Sequence, residues 1–305
     1  MIPRLPPPLR PGDRVGVAAL SGPVDPDALA AGLRAIDRLG FVPVPAANLG
    51  SRHDLFAGTE DERVDGLHRL AADADIAAIF FARGGHGVLP LLPALDWNLL
   101  GRRPRAFVGY SDLTPLLDAV VRRLGWIAFH GPMVASDLAR GLDPDEQASL
   151  LAALRGELPV EVPLGGFARG SDGSASGPLR GGCLSMLEAT LGTPWACDLA
   201  GSVVLLEDVA EPLYRIDRML THLHLSGSLA RVHGIVIGSM RGTDEAPEAA
   251  STVPSRVALM APGALVGWGA PAGHGRPNWT LPLGATATLE PRRARLVLEL
   301  PERER

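Results

Sequence analysis

A chain of 305 residues, 46% hydrophobic and with a formal net charge of −5, is long enough for one large or two ordinary domains with a buried core. The acidic balance argues against a nucleic-acid surface, and aromatics at only 5% leave the core mainly to Leu, Val and Ala. All 29 basic residues are arginine, which excludes Ser–Lys dyads, Schiff-base chemistry and Walker-type phosphate loops.

The opening segment, Met1 to Pro8, has no apolar leader pattern. No stretch approaches the about 20 uninterrupted apolar residues of a membrane span. Cys183 and Cys197 have neither metal-ligand spacing nor a disulfide-rich context, so reduced thiols are expected. A cytoplasmic protein without a membrane or nucleic-acid partner is the resulting expectation.

The first half alternates strands and helices. Arg14 to Leu20 reads as a buried strand, followed by a turn at Ser21-Gly22-Pro23 and a helix from about Pro26 to Leu39. Phe41 to Val44 is a short strand. Val64, Leu67 and Leu70 give helical spacing over about Glu60 to Ala72, and Ile76 to Phe81 is another buried strand. Arg83-Gly84-Gly85-His86-Gly87 then turns the chain. Strands of this kind alternating with amphipathic helices predict an α/β domain whose parallel sheet is flanked by helices. Ligands in such sheets bind beyond the carboxyl ends of the strands, where the Gly84-Gly85 turn and Ser111 both fall.

Ser111 lies in Arg105 to Thr114, where an apolar strand runs into a tight turn and a helix. Such a junction projects a serine hydroxyl beside backbone N–H groups, the logic of a nucleophile elbow without its G-x-S-x-G residues. The competing reading is that Ser111 or Asp112 merely caps the helix.

Farther on, Gly165 to Ser174 is polar and glycine-rich, which suggests a linker. The expected division is an N-terminal α/β domain over 1–160, a linker over 161–178, and a smaller mixed α+β domain over 179–305. In the latter, Val203 to Leu206 is a strand ending at Glu207-Asp208, Ile216 to Leu225 a helix, and Gly234 to Gly238 a strand. Gly242 to Ser255 reads as a surface loop with a helix start, and short strands follow around Ala285 to Leu289 and Arg295 to Leu300.

A serine nucleophile needs a base and a carboxylate to orient that base. Among eight histidines, His222 and His224 are two apart on a helix and do not share a face. His53 and His68 lie in surface contexts, and His233 precedes a strand. His274 stands between Gly273 and Gly275, which permit close approach of another segment, or it is an incidental residue of a glycine-rich turn. Glu207 is either a solvated strand-terminal acid or an active one.

The ordered set of motifs resembles the LD-carboxypeptidase family of serine peptidases, which also includes the microcin C immunity hydrolases. It comprises Leu9 to Asp13, Arg83 to Gly87, Leu95-Asp96, Gly109 to Thr114, His130 to Met133, Gly181 to Ser185, Leu191 to Pro194, Leu206 to Arg218, Gly273 to Gly275 and Asn278 to Gly284. The resemblance implies a Ser111–His274–Glu207 triad at the junction of two domains, a homodimer, and no metal or organic cofactor. The implied substrate is a murein tetrapeptide that loses its terminal D-alanine through an acyl-enzyme; an aminoacyl or peptidyl nucleotide conjugate is the alternative. The oxyanion would lie against the backbone N–H groups of Asp112 and Gly84 or Gly85. Arg83 and Arg218 are candidates for the substrate carboxylate, and Glu211 for its amino group. His86, Pro90 and Cys183 depart from the family pattern without touching the triad.

Overall fold

The computed structural model describes residues 3–157, 160–168, 173–242 and 247–300. The chain forms two compact units: Met1–Glu157 with Trp279–Leu281, and Leu158–Asn278 with Pro282–Pro301.

The first unit is built on strands β1 (Arg14–Ala18), β2 (Val42–Pro45), β3 (Ile76–Phe81), β4 (Ala106–Gly109) and β5 (Ala128–His130). All neighbouring pairs among these five are parallel. The helices between them start where sequence chemistry dictates. Pro26–Arg38 is capped by Asp25, which accepts the Ala28 N–H at 2.8 Å. Glu60–Ala72 has a capping box: Glu62 N–H donates to Thr59 Oγ1, and Thr59 N–H donates to Glu62 Oε2 at 2.7 Å. Ile79, Phe80, Phe81 and Phe107 are completely buried at the sheet centre. Each contributes about 1.5–3 kcal/mol relative to an exposed position. The Ser21 turn, the Arg83–Gly87 turn and Ser111 follow the carboxyl ends of β1, β3 and β4.

The remaining strands are β6 (Val160–Pro163), β7 (Gly166–Phe167), β8 (Ala175–Cys183), β9 (Val203–Val209), β10 (Gly234–Arg241), β11 (Leu265–Trp268), β12 (Leu281–Leu283), β13 (Thr286–Glu290) and β14 (Arg295–Glu299). Strand β12 extends the first sheet, whose order is β12-β5-β4-β3-β1-β2. The others form an eight-stranded sheet, β6-β14-β13-β8-β9-β10-β11-β7. Its middle, β8 to β11, is parallel, and its flanks are antiparallel. The α/β class and the mixed character of the second sheet agree with the sequence reading. Helices Leu213–Leu225 and Pro247–Met260 cover it through Ile216, Leu220, Leu223 and Val257, packed with Leu206, Ile235 and Ile237.

Three details differ from expectation. The 161–178 stretch, expected as a linker, carries β6, β7 and the start of β8, although 169–172 lie outside the described residues. Backbone pairing with β14, β11 and β13 overrides its polar, glycine-rich composition. The Gly242 to Ser255 stretch enters the helix from Pro247, and 243–246 lie outside the described residues. Glu207 and Asp208 lie inside β9 and are buried, not strand-terminal and solvated. Among the described residues no helix is long and apolar enough to cross a membrane.

Candidate active site

In the first unit, β4 ends at Gly109, and Tyr110 is extended. Ser111 then takes φ +63°, left-handed backbone that costs a non-glycine residue about 1–3 kcal/mol. The chain turns sharply there before the helix Thr114–Ala119, and the half-buried Ser111 side chain stands at the turn. The residue at this helix's N-cap position, Leu113, makes no side-chain cap. The buried Asp112 carboxylate accepts the Ser21 hydroxyl at 2.6 Å and the Val88 N–H at 3.0 Å. Gly84 approaches so closely that a Cβ there would lie 2.9 Å from both Cβ and Oγ of Ser111. Behind the turn, Tyr110 donates its hydroxyl to Asp137 at 3.4 Å, and Asp137 also receives the Met133 N–H at 2.9 Å.

In the second unit, Glu207 is fully buried, and β9 pairs it in register with Cys183 of β8. On its other side the β10 register shifts between Ile237 and Met240. Ser239 N–H there donates to Ala272 O at 2.8 Å, bringing the 270–275 loop over Glu207. Gly273 has φ +99°, and a Cβ at this position would fall 2.3 Å from Glu207 Oε2. Only glycine admits both that backbone and that approach. Asn278 Oδ1 accepts the Gly273 N–H at 2.9 Å.

Glu207 Oε2 accepts two hydrogen bonds from His274, from the backbone N–H at 3.1 Å and from ring Nδ1 at 2.7 Å. With Nδ1–H committed to the carboxylate, Nε2 carries the lone pair, which is the arrangement of a general base. Glu207 Oε1 has no hydrogen-bond partner among the described residues. Burial pushes the Glu207 carboxyl above its ordinary range, and the His274 hydrogen bond and charge oppose that shift.

The remaining sequence candidates have structural partners. Arg83 donates Nε to Gly84 O at 3.2 Å and NH1 to Pro23 O at 3.1 Å, bracing the glycine turn. The Arg218 guanidinium lies over the Tyr214 ring, 5.4 Å from its centroid, while the neighbouring Asp217 pairs with Arg256. Glu211 stands 3.0 Å from Arg215. Gly84 is buried, whereas Gly85 is exposed. Cys183 is buried beside Glu207 and Asp208, and burial raises its thiol well above the usual range, so it is an unreactive packing residue.

The sequence reading did not single out Arg241, whose NH1 donates to His274 O at 3.5 Å, or the Asp112 carboxylate. Arg241 carried no motif. Local sequence marks Asp112 only as a cap or through its backbone N–H. Among the described residues no group of three His, Cys, Asp or Glu side chains is placed to hold a metal ion.

Comparison with known proteins identifies the family of the whole chain. The pattern described as the LD-carboxypeptidase N-terminal domain matches residues 15–131, and that of the C-terminal domain matches 176–289. A putative carboxypeptidase of Streptomyces coelicolor is 37% identical, with 96% of this chain and 95% of the relative covered. The murein tetrapeptide carboxypeptidase of Pseudomonas aeruginosa is 34% identical over 92% of this chain and 94% of its own. Among solved structures, a muramoyltetrapeptide carboxypeptidase from Oxalobacter formigenes superposes with a TM-score of 0.83 at 26% identity, covering 96% of this chain and 100% of that one. A microcin C immunity-like protein from Bacillus anthracis gives 0.86 at 25% identity, covering 98% and 99%. Both halves of one family's pattern match, over 15–131 and 176–289, and relatives 34–37% identical cover more than nine-tenths of the chain: it belongs to the LD-carboxypeptidase family of serine peptidases.

Proposed function

We propose that this protein hydrolyses the bond to the terminal D-alanine of a murein tetrapeptide, with Ser111 as nucleophile, His274 as base and Glu207 as the carboxylate that orients it. The observation that carries this reading is the 2.7 Å contact between His274 Nδ1 and the buried Glu207 Oε2. A carboxylate acceptor favours the tautomer with Nδ1–H, which leaves Nε2 able to accept a proton.

In the reaction His274 Nε2 takes the Ser111 hydroxyl proton as Oγ attacks the amide carbonyl. The resulting oxyanion is held by the N–H groups of Asp112 and of Gly84 or Gly85, each donor supplying roughly 3 kcal/mol at the barrier. Imidazolium then protonates the leaving nitrogen, the C–N bond breaks, and D-alanine departs. Water, deprotonated by His274, attacks the acyl-enzyme, and the proton returns to Ser111. Arg83, Arg218 and Glu211 are the candidates for holding the substrate's charged groups. The setting is cytoplasmic cell-wall recycling by a homodimer, the latter checked by light scattering of the purified protein.

Mass spectrometry of the protein incubated with L-Ala-γ-D-Glu-meso-diaminopimelyl-D-Ala tests the reading. The wild type removes one D-alanine and Ser111→Ala removes none. Equal turnover by Ser111→Ala would refute the nucleophile. Inactivity of the wild type on this peptide, with cleavage of a glutamyl sulfamoyl nucleoside, would move the substrate to the class that the microcin C7 self-immunity protein MccF binds in a solved structure.

A further inference from the structure

The Asp112 side chain bridges three segments of the first unit. Its carbon skeleton belongs to the nucleophile turn, and its carboxylate receives the Ser21 hydroxyl after β1 and the Val88 N–H after β3. The segment just before Val88 holds Gly85 at φ +123° and Gly87 at φ +126°. A stretch so rich in glycine has many backbone conformations available, and hydrogen bonds must select one. Those bonds are present. Gly84 O accepts the Gly22 N–H at 3.3 Å, and Gly87 O accepts Arg63 NH1 at 2.9 Å. Arg63 NH1 also donates to Leu20 O at 2.7 Å. Only the Asp112 carboxylate, among these contacts, joins the glycine turn directly to the turn that carries Ser111.

The carboxylate is 1% exposed, and hydrogen bonds to a charged acceptor are stronger than neutral ones. The same glycine turn brings Gly84 against Ser111 Oγ. We propose that the Asp112 carboxylate is a positioning residue that locks the Gly84–Val88 turn onto the nucleophile turn, so that a second oxyanion donor is in place before negative charge develops. Its effect falls on the transition state, because an oxyanion donor out of place weakens the charged intermediate more than the neutral substrate. This inference rests on the catalytic role of Ser111 given above.

The test measures kcat and KM on the murein tetrapeptide for Asp112→Ala, Asp112→Asn, Ser21→Ala and Ser111→Ala, with the folded fraction of each from circular dichroism. Asp112→Ala is expected to lower kcat by about 10²–10³-fold, the effect of losing one oxyanion donor, with KM within about twofold. Asp112→Asn keeps an acceptor oxygen and is expected to recover at least about tenfold of that loss. Ser21→Ala, which removes one of the two bonds, is expected to lower kcat roughly tenfold. If Asp112→Ala does not fold, Ser21→Ala and Asp112→Asn decide the matter alone. Unchanged kcat in these variants beside an inactive Ser111→Ala would overturn the positioning role only, as would a loss that merely tracks the folded fraction or falls on KM. A fully active Ser111→Ala would instead remove the catalytic reading and this inference with it.

Discussion

Ser111 and Glu207 both occupy costly positions, but the cost lies in different places. At Ser111 it is in the backbone: a serine held at φ +63° at the end of β4. At Glu207 the backbone is an ordinary strand, and the cost is in solvation, since the carboxylate is fully buried and one oxygen has no hydrogen-bond partner among the described residues. Strain presents a hydroxyl without altering its charge. Burial makes the carboxylate depend on His274, its hydrogen-bonded neighbour, and that dependence orients the ring. The two devices predict different responses to substitution.

Glu207→Gln gives the largest expected effect. The kcat on the tetrapeptide falls by about 10⁴-fold, as when a triad carboxylate is made neutral. Stability moves the other way. The folded protein raises the Glu207 carboxyl above its ordinary range, so the fold favours the protonated form. The stabilising contribution of that protonated carboxyl is complete below the ordinary carboxylate range and is lost as pH rises through the raised value. The glutamine variant should therefore melt above wild type near neutral pH, with the gap closing in acid. Melting below wild type near neutrality would show that the His274 bonds outweigh burial.

Gly273→Ala sharpens the comparison from the loop side. A Cβ at this residue meets the Glu207 carboxylate, in backbone an L-residue resists. Displacing His274 by about 1 Å is expected to lower kcat on the order of 10²-fold. Wild-type kcat in a folded Gly273→Ala protein would mean that close approach does not orient the histidine.

The smallest effect isolates strain. Ser111→Ala and Ser111→Gly are both expected to be inactive, but only glycine relaxes the left-handed turn. Calorimetry should place Ser111→Gly about 1 kcal/mol above Ser111→Ala, less the unfolded-state entropy that glycine adds. Equal stabilities would mean that the turn carries no net strain.

The helices at Pro26 and Glu60 and the apolar strands β1 and β3 were legible because cap residues and hydrophobic runs are local signals. The strands within 161–178 were not, because their pairing partners lie in β11, β13 and β14, far along the chain. The same limit applies to the candidate site. Ser111 was visible as a strand–turn–helix junction and His274 by its flanking glycines, yet the burial of Glu207 depends on the strands at its sides. Nothing near Asp112 in sequence announces Ser21 or Val88. Local chemistry shows through in a single sequence, whereas a carboxylate that ties distant turns together does not.

Trp279–Leu281 belongs to the same unit as Met1–Glu157. Thr280 N–H donates to Ser149 Oγ at 3.0 Å, and a Cβ on Gly131 would lie 2.9 Å from the Thr280 side chain. During synthesis, the sheet that bears Ser111 therefore waits with an open edge at β5 until the ribosome has released some 120 further residues, counted from Glu157 to Trp279. A truncation after Glu157 would leave that edge permanently open to pairing with another chain. The unit that carries Ser111 is completed by a strand made some 120 residues after Glu157.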